Sequence, residues 1–118
     1  MSTIVNDGTL EPEEALGALR LAAQRATEAL PTALSKCENE DQRQAVVADR
    51  DAVVLAYLAC LKKTLVHTGP LFENMAIALQ KEAEDIGQKV KDAVAAADAC
   101  NLFTDLVKLA ATLALAFG

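Results

Sequence analysis

Between Gln42 and Val66 the chain runs without a glycine or proline, long enough for about seven helical turns, and its second half, Val53 to Leu61, carries no charge. At about 100° per residue, Val46, Val47, Val53, Val54, Tyr57, Leu58, Leu61 and Leu65 fall on one face. Ala45, Ala48, Ala52, Ala56 and Ala59 fall on the other. A helix with bulky side chains in front and methyl groups behind can be approached closely from behind, so this stretch is expected to form the central element of the fold. The composition agrees with a helical chain. Hydrophobic residues make up 53% and aromatics only 3%, and the excess in alanine, leucine and valine favours close helix packing over a sheet. At 118 residues the chain makes one domain, able to bury about two-thirds of the surface it exposes when unfolded.

The remaining helices follow from capping signals and apolar spacing. Met1 to Gly8 show no periodicity and end in Asn-Asp-Gly, so residues 1–8 read as a flexible leader and 9–118 as a single helical domain. Thr9 and Pro12 suit a helix start, with Glu11, Glu13 and Glu14 at its positive end. Leu16, Leu19, Ala22, Ala23, Ala26 and Leu30 line its apolar side, and Pro31 is expected to stop it. The second helix starts near Lys36 or Glu40, because Ser35 with Glu38 and Asn39 with Gln42 both fit a capping box. It ends at Thr68-Gly69-Pro70, with Gly69 as a left-handed cap.

A third helix carries Phe72, Met75, Leu79, Ala83, Ile86 and Val90 on its buried side, and Gly87 in it suggests a close approach or a bend. A fourth starts from Asp98 or Asn101. The expected fold is therefore an all-α, antiparallel four-helix bundle with helices at about 10–30, 40–67, 70–98 and 101–117. Because Ala93 to Cys100 contains no glycine or proline, the alternative is that the third and fourth helices run on as one.

A net charge of −6 repels a phosphate backbone, and the pairs Lys62-Lys63 and Lys89/Lys91 are too short to overcome it, so no nucleic-acid partner is expected. No uncharged run approaches the roughly 20 residues of a membrane-spanning helix, and no membrane partner is expected. Cys37, Cys60 and Cys100 lack any C-x-x-C spacing. They signal neither a disulfide framework nor a zinc site, and suggest a reducing, cytoplasmic setting.

Neither a catalytic nor a cofactor motif stands out, and no cofactor or metal is expected. His67 is the sole histidine, at the end of the second helix where the dipole favours a charged imidazole. A di-iron bundle needs Glu-x-x-His on two helices, which one histidine cannot supply. Glu11 with Glu14 and Glu82 with Asp85 match the letters of magnesium-binding E-x-x-E and E-x-x-D pairs, but stand far apart. Arg50, between Asp49 and Asp51, falls on the face of Val47, Val54 and Tyr57 and is a candidate buried anion or ion-pair site.

The fourth helix has an apolar arc of roughly 220°, far wider than the 100° or so a one-sided helix needs. A second copy is expected to cover the surplus, giving a homodimer through Leu106, Val107, Leu109, Leu113, Ala114 and Phe117. The chain thus reads first as a non-enzymatic interaction module, an adaptor, inhibitor or immunity-type protein, whose acidic surface suits a basic protein partner. The alternative is a small helical hydrolase of nucleotide or RNA, using His67 with Lys63 or magnesium on Glu82 and Asp85.

Overall fold

A computed structural model describes residues 4–118, so the first three residues of the expected leader lie outside the described residues. Four helices make up the fold: α1 (Pro12–Lys36), α2 (Glu40–Cys60), α3 (Pro70–Asp92) and α4 (Ala96–Ala114). They alternate in direction along the chain and form the expected four-helix bundle, in which the neighbours α1 and α3 run parallel, as do α2 and α4. Helix α1 packs on all three others, and so does α4, while α2 and α3 stand at opposite corners without packing on each other. The order around the bundle is α1, α2, α4, α3. Residues 61–69 therefore cross one end of the bundle on the diagonal.

Alanine accounts for the centre of this arrangement, but on a different helix from the one expected. Ala15, Ala18, Ala22, Ala26, Ala29 and Ala33 of α1 are buried, whereas Leu16 and Leu30 are only partly so. Helix separation follows the size of the side chains between axes. A run of methyl groups lets three neighbours close on α1 at once. Their larger side chains, Leu79, Ile86, Phe103, Leu106 and Leu113, fill the space around it. The alanines of α2 instead face solvent: Ala45, Ala48, Ala52 and Ala59 are exposed, and α2 is a corner of the bundle.

Several boundaries differ from expectation for identifiable reasons. Pro31 lies inside α1, which continues to Lys36. Both Pro31 and Thr27, whose carbonyl loses its partner four residues on, are exposed, so water can serve the orphaned group. Burial of Ala33 beyond the proline carries the helix forward. Helix α1 starts from Glu11 rather than Thr9, its N–H donating to Glu14 Oε1 at 2.9 Å. Helix α2 starts at the second of the two capping signals, where Asn39 Oδ1 accepts from Gln42 N–H at 2.8 Å. It stops at Cys60 instead of His67 because the following backbone pairs elsewhere. Thr64 and Gly118 exchange N–H···O bonds of 3.1 and 2.8 Å, and Val66 N–H donates to Ala116 at 2.8 Å. Gly69 is not a left-handed cap; it precedes α3 with φ −75°, and Pro70 opens that helix. Gly87 faces solvent and a Cβ there would meet nothing, so no close approach explains it.

Helices α3 and α4 are separate, broken at Ala93–Ala95, and α4 begins five residues before the expected start. The ammonium group of Lys36, at the end of α1, donates to the carbonyls of Lys91 and Ala93 at 2.9 and 2.6 Å. It occupies the negative end of α3, where a cation is favoured and the last carbonyls lack partners. Replacing Lys36 with methionine keeps the stem and removes the donor. A loss of about 1–2 kcal/mol in urea unfolding is expected, and an unchanged midpoint would mean that water serves these carbonyls equally well.

Much of the wide apolar arc of α4 is covered from within, although Leu115 at its end is 69% exposed. Three helices pack on it, and the segment crossing the bundle end closes over its last turn through the antiparallel bridge of Leu65 with Phe117. At the same end, residues 4–10 lie along the bundle. Val5 N–H donates to Glu14 Oε2, Leu10 N–H to the Thr68 carbonyl, and the backbone of Asp7 and Gly8 to the buried carboxylate of Glu73. Leu10 is enclosed in the core.

Candidate interaction surface

The residues expected to form a dimer surface on α4 are mostly inside the chain. Leu106 and Leu113 are fully buried and Phe117 is 6% exposed. Val107, Leu109 and Ala114 are partly buried and pack against the core. A regular run of exposed apolar residues lies on α2. Ala45, Ala48, Ala52, Leu55 and Ala59 succeed one another at steps of three, four, three and four residues, and all five are exposed. That is the a/d spacing of a coiled-coil seam. Leu55 is 64% exposed, and Leu58 and Leu61 beside the seam are 46% and 49% exposed.

Local sequence explains why this seam points outward. Val46, Val53 and Cys60, seven residues apart, are the buried side of α2, with Val54 and Tyr57 partly buried beside them. The alanine seam lies around the helix from these, toward solvent. An open groove of about 400 Å³ borders it, lined by Leu34, Glu40, Arg43, Gln44, Val47, Ala48 and Asp51. The ends of the seam differ in charge. Glu40 and Asp41 stand at its start, Lys62 and Lys63 just beyond its end, and all four are exposed.

Arg50 is half-buried at the edge of the bundle, not enclosed in it. Its Nε donates to Asp51 Oδ1 at 2.7 Å, so the nearest anion is its own neighbour. Arg43 pairs in the same way with Glu40 at 3.1 Å. Asp49 turns toward α4, where its Oδ2 accepts from the Thr104 hydroxyl at 3.3 Å. Burial pushes its carboxyl above the usual range, while that hydrogen bond pulls the other way.

His67 is exposed in the crossing segment, outside any helix, and its ring stacks on Phe72 with centroids 5.6 Å apart. The carboxylate pairs considered for magnesium are engaged separately. Glu14 binds backbone N–H groups of Val5 and Glu11, and Glu82 accepts from Lys89 Nζ at 3.1 Å. Among the described residues, no group of three or more His, Cys, Asp or Glu side chains converges as a metal-ligand set. No described helix is long and apolar enough to cross a membrane.

One pairing has no counterpart in the linear pattern. Cys37, at the end of α1, and Cys100, in the second turn of α4, come near enough across the α1–α4 contact to influence each other. Burial chiefly, then the neighbouring Cys37 thiol and the charge of Asp49, push the Cys100 thiol up. Cys60 is remote from this pair in the core, its thiol raised by burial. Comparison of the chain with protein-family models, with curated proteins and with solved structures gave no match.

Proposed function

We propose that the chain is a non-enzymatic interaction module that pairs with a second copy of itself through α2. The observation that supports this reading is the exposed seam from Ala45 to Ala59, apolar at every a and d position and bare within one chain. Alanine seams suit helix pairs that approach closely, as the interior of this bundle itself does along α1.

An antiparallel pairing follows from the charges. With the twofold axis at Ala52, Ala45 faces Ala59 of the second copy, and Asp41 faces Lys63. Acid then meets base at both ends of one self-complementary patch. A parallel pairing would set Asp41 on Asp41 and Lys63 on Lys63. The rest of the surface keeps the acidic excess of the chain, which favours rapid association with a basic protein partner.

Sedimentation equilibrium at micromolar concentration tests the reading. The wild-type chain is expected as a dimer, and Leu55→Glu is expected to weaken it on the order of 100-fold, by burying one unpaired carboxylate per copy, with helical circular dichroism unchanged. A wild-type monomer, or a Leu55→Glu variant that dimerises as tightly, would remove α2 as the interface.

A further inference from the structure

We propose that the outer groove between the first half of α1 and the end of α2 binds a short apolar peptide with free termini, held by Glu13 at one end and Arg20 at the other. The groove measures about 350 Å³ and is lined by Glu13, Leu16, Gly17, Arg20, Tyr57 and Leu61, which puts it at the small end of ligand sites. Positions 13, 16, 17 and 20 follow at helical steps and form one stripe of α1. Leu16 and Leu61 make the middle of the groove apolar, and the missing side chain of Gly17 leaves room there. Glycine is a costly residue inside a helix otherwise rich in alanine. None of the five residues of the α2 seam lines the groove, so the site stands apart from self-pairing.

Unmatched charges at its two ends define the occupant. Of the four arginines in the chain, Arg25, Arg43 and Arg50 each pair with a carboxylate of their own helix. Among the described residues, Arg20 makes no ion pair or hydrogen bond, and neither does the carboxylate of Glu13. The Tyr57 hydroxyl also lacks a partner, yet it reaches solvent, because no unsatisfied polar side-chain atom is buried. Glu13 and Arg20 stand seven residues apart, about 10 Å along the helix axis. An extended chain of about three residues spans that distance from ammonium to carboxylate. Because α1 and α2 run in opposite directions, Tyr57 lies a turn nearer the Arg20 end than Leu61 does. A carboxylate at that end meets a guanidinium and a hydroxyl, and an ammonium at the other meets Glu13. An apolar side chain between them rests on Leu16, Gly17 and Leu61. A simple carboxylic acid would leave Glu13 unmatched and a simple amine would leave Arg20 so, which is why the occupant carries both charges.

Titration of the isotope-labelled chain with the tripeptide Ala-Leu-Ala, followed by amide NMR, tests the site. At millimolar peptide, saturable shifts are expected in α1 from Glu13 to Arg20 and at Tyr57 and Leu61. Amidating the peptide's carboxylate or acetylating its amine is expected to weaken binding on the order of 10-fold each. A hexapeptide of the same composition, too long to place both ends, should bind no better than these capped forms. Arg20→Gln should weaken the free peptide by the same factor and leave the amidated one unchanged, and Glu13→Gln should do so against the acetylated one. Both side chains are exposed, so neither variant disturbs the core. The proposal is overturned if the shifts do not saturate or lie elsewhere, if capped peptides bind as well as the free one, or if either variant, with its spectrum otherwise native, keeps the preference for the matching free end.

Discussion

Replacing Glu73 with leucine is expected to cost the bundle about 2–3 kcal/mol, because it removes the charged acceptor that holds the backbone of Asp7 and Gly8 against α3. Glu73 is 1% exposed, the one buried charged side chain among the described residues. A buried carboxylate survives only where donors satisfy it, and here they come from the main chain. Both its oxygens accept from Gly8 N–H at 3.1 Å, and Oε2 also accepts from Asp7 N–H at 3.2 Å. It sits in the first turn of α3, where the helix dipole favours an anion. The turn that presents the two N–H groups needs Gly8 at φ +87°, which other residues adopt only with strain. Leucine fills a similar space but offers no acceptor. Hydrogen exchange at Asp7 and Gly8 should accelerate toward the rate of free peptide, alongside a lower denaturation midpoint. Unchanged protection at these amides would show that the segment is held by Leu10 and Ile4 alone.

Pro31→Ala is expected to act in the opposite sense, raising the unfolding free energy by about 2–3 kcal/mol, close to the full difference between proline and alanine in a helix interior. The residue is exposed, so no packing is lost, and alanine restores an N–H for the carbonyl of Thr27. Thermal unfolding should shift upward by several degrees. A lower melting temperature would show that the bend imposed by proline is needed to bring Lys36 to the end of α3.

These two sites show what is legible in a linear pattern and what is not. Helical class, helix number and the side of α3 that turns inward follow from apolar spacing, since Leu79, Ala83, Ile86 and Val90 occur at helical steps and are buried together. Pro31 was expected to end α1 because local propensity says so, but the alanines on both sides contribute burial that outweighs one missing hydrogen bond. The width of the apolar arc on α4 is a true signal of how much surface must be covered. It cannot tell a partner from the chain's own segments, and here α1, α2, α3 and the crossing segment supply the cover. Equally, an alanine face is the same string of letters whether a neighbour lies against it, as on α1, or water does, as on α2. The grip of Glu73 on Gly8 joins residues 65 positions apart, beyond the reach of any periodicity.

The diagonal segment also divides the chain into two helix pairs held together by a few latches. With α2 and α3 never in contact, each half is an antiparallel helix pair able to close from short-range encounters. The grips that span the halves, Glu73 on Gly8, Lys36 on Ala93, and residues 64–67 on the last three residues, form only once the pairs dock. The latches that make the joined form durable therefore all lie between the two helix pairs and none within one pair.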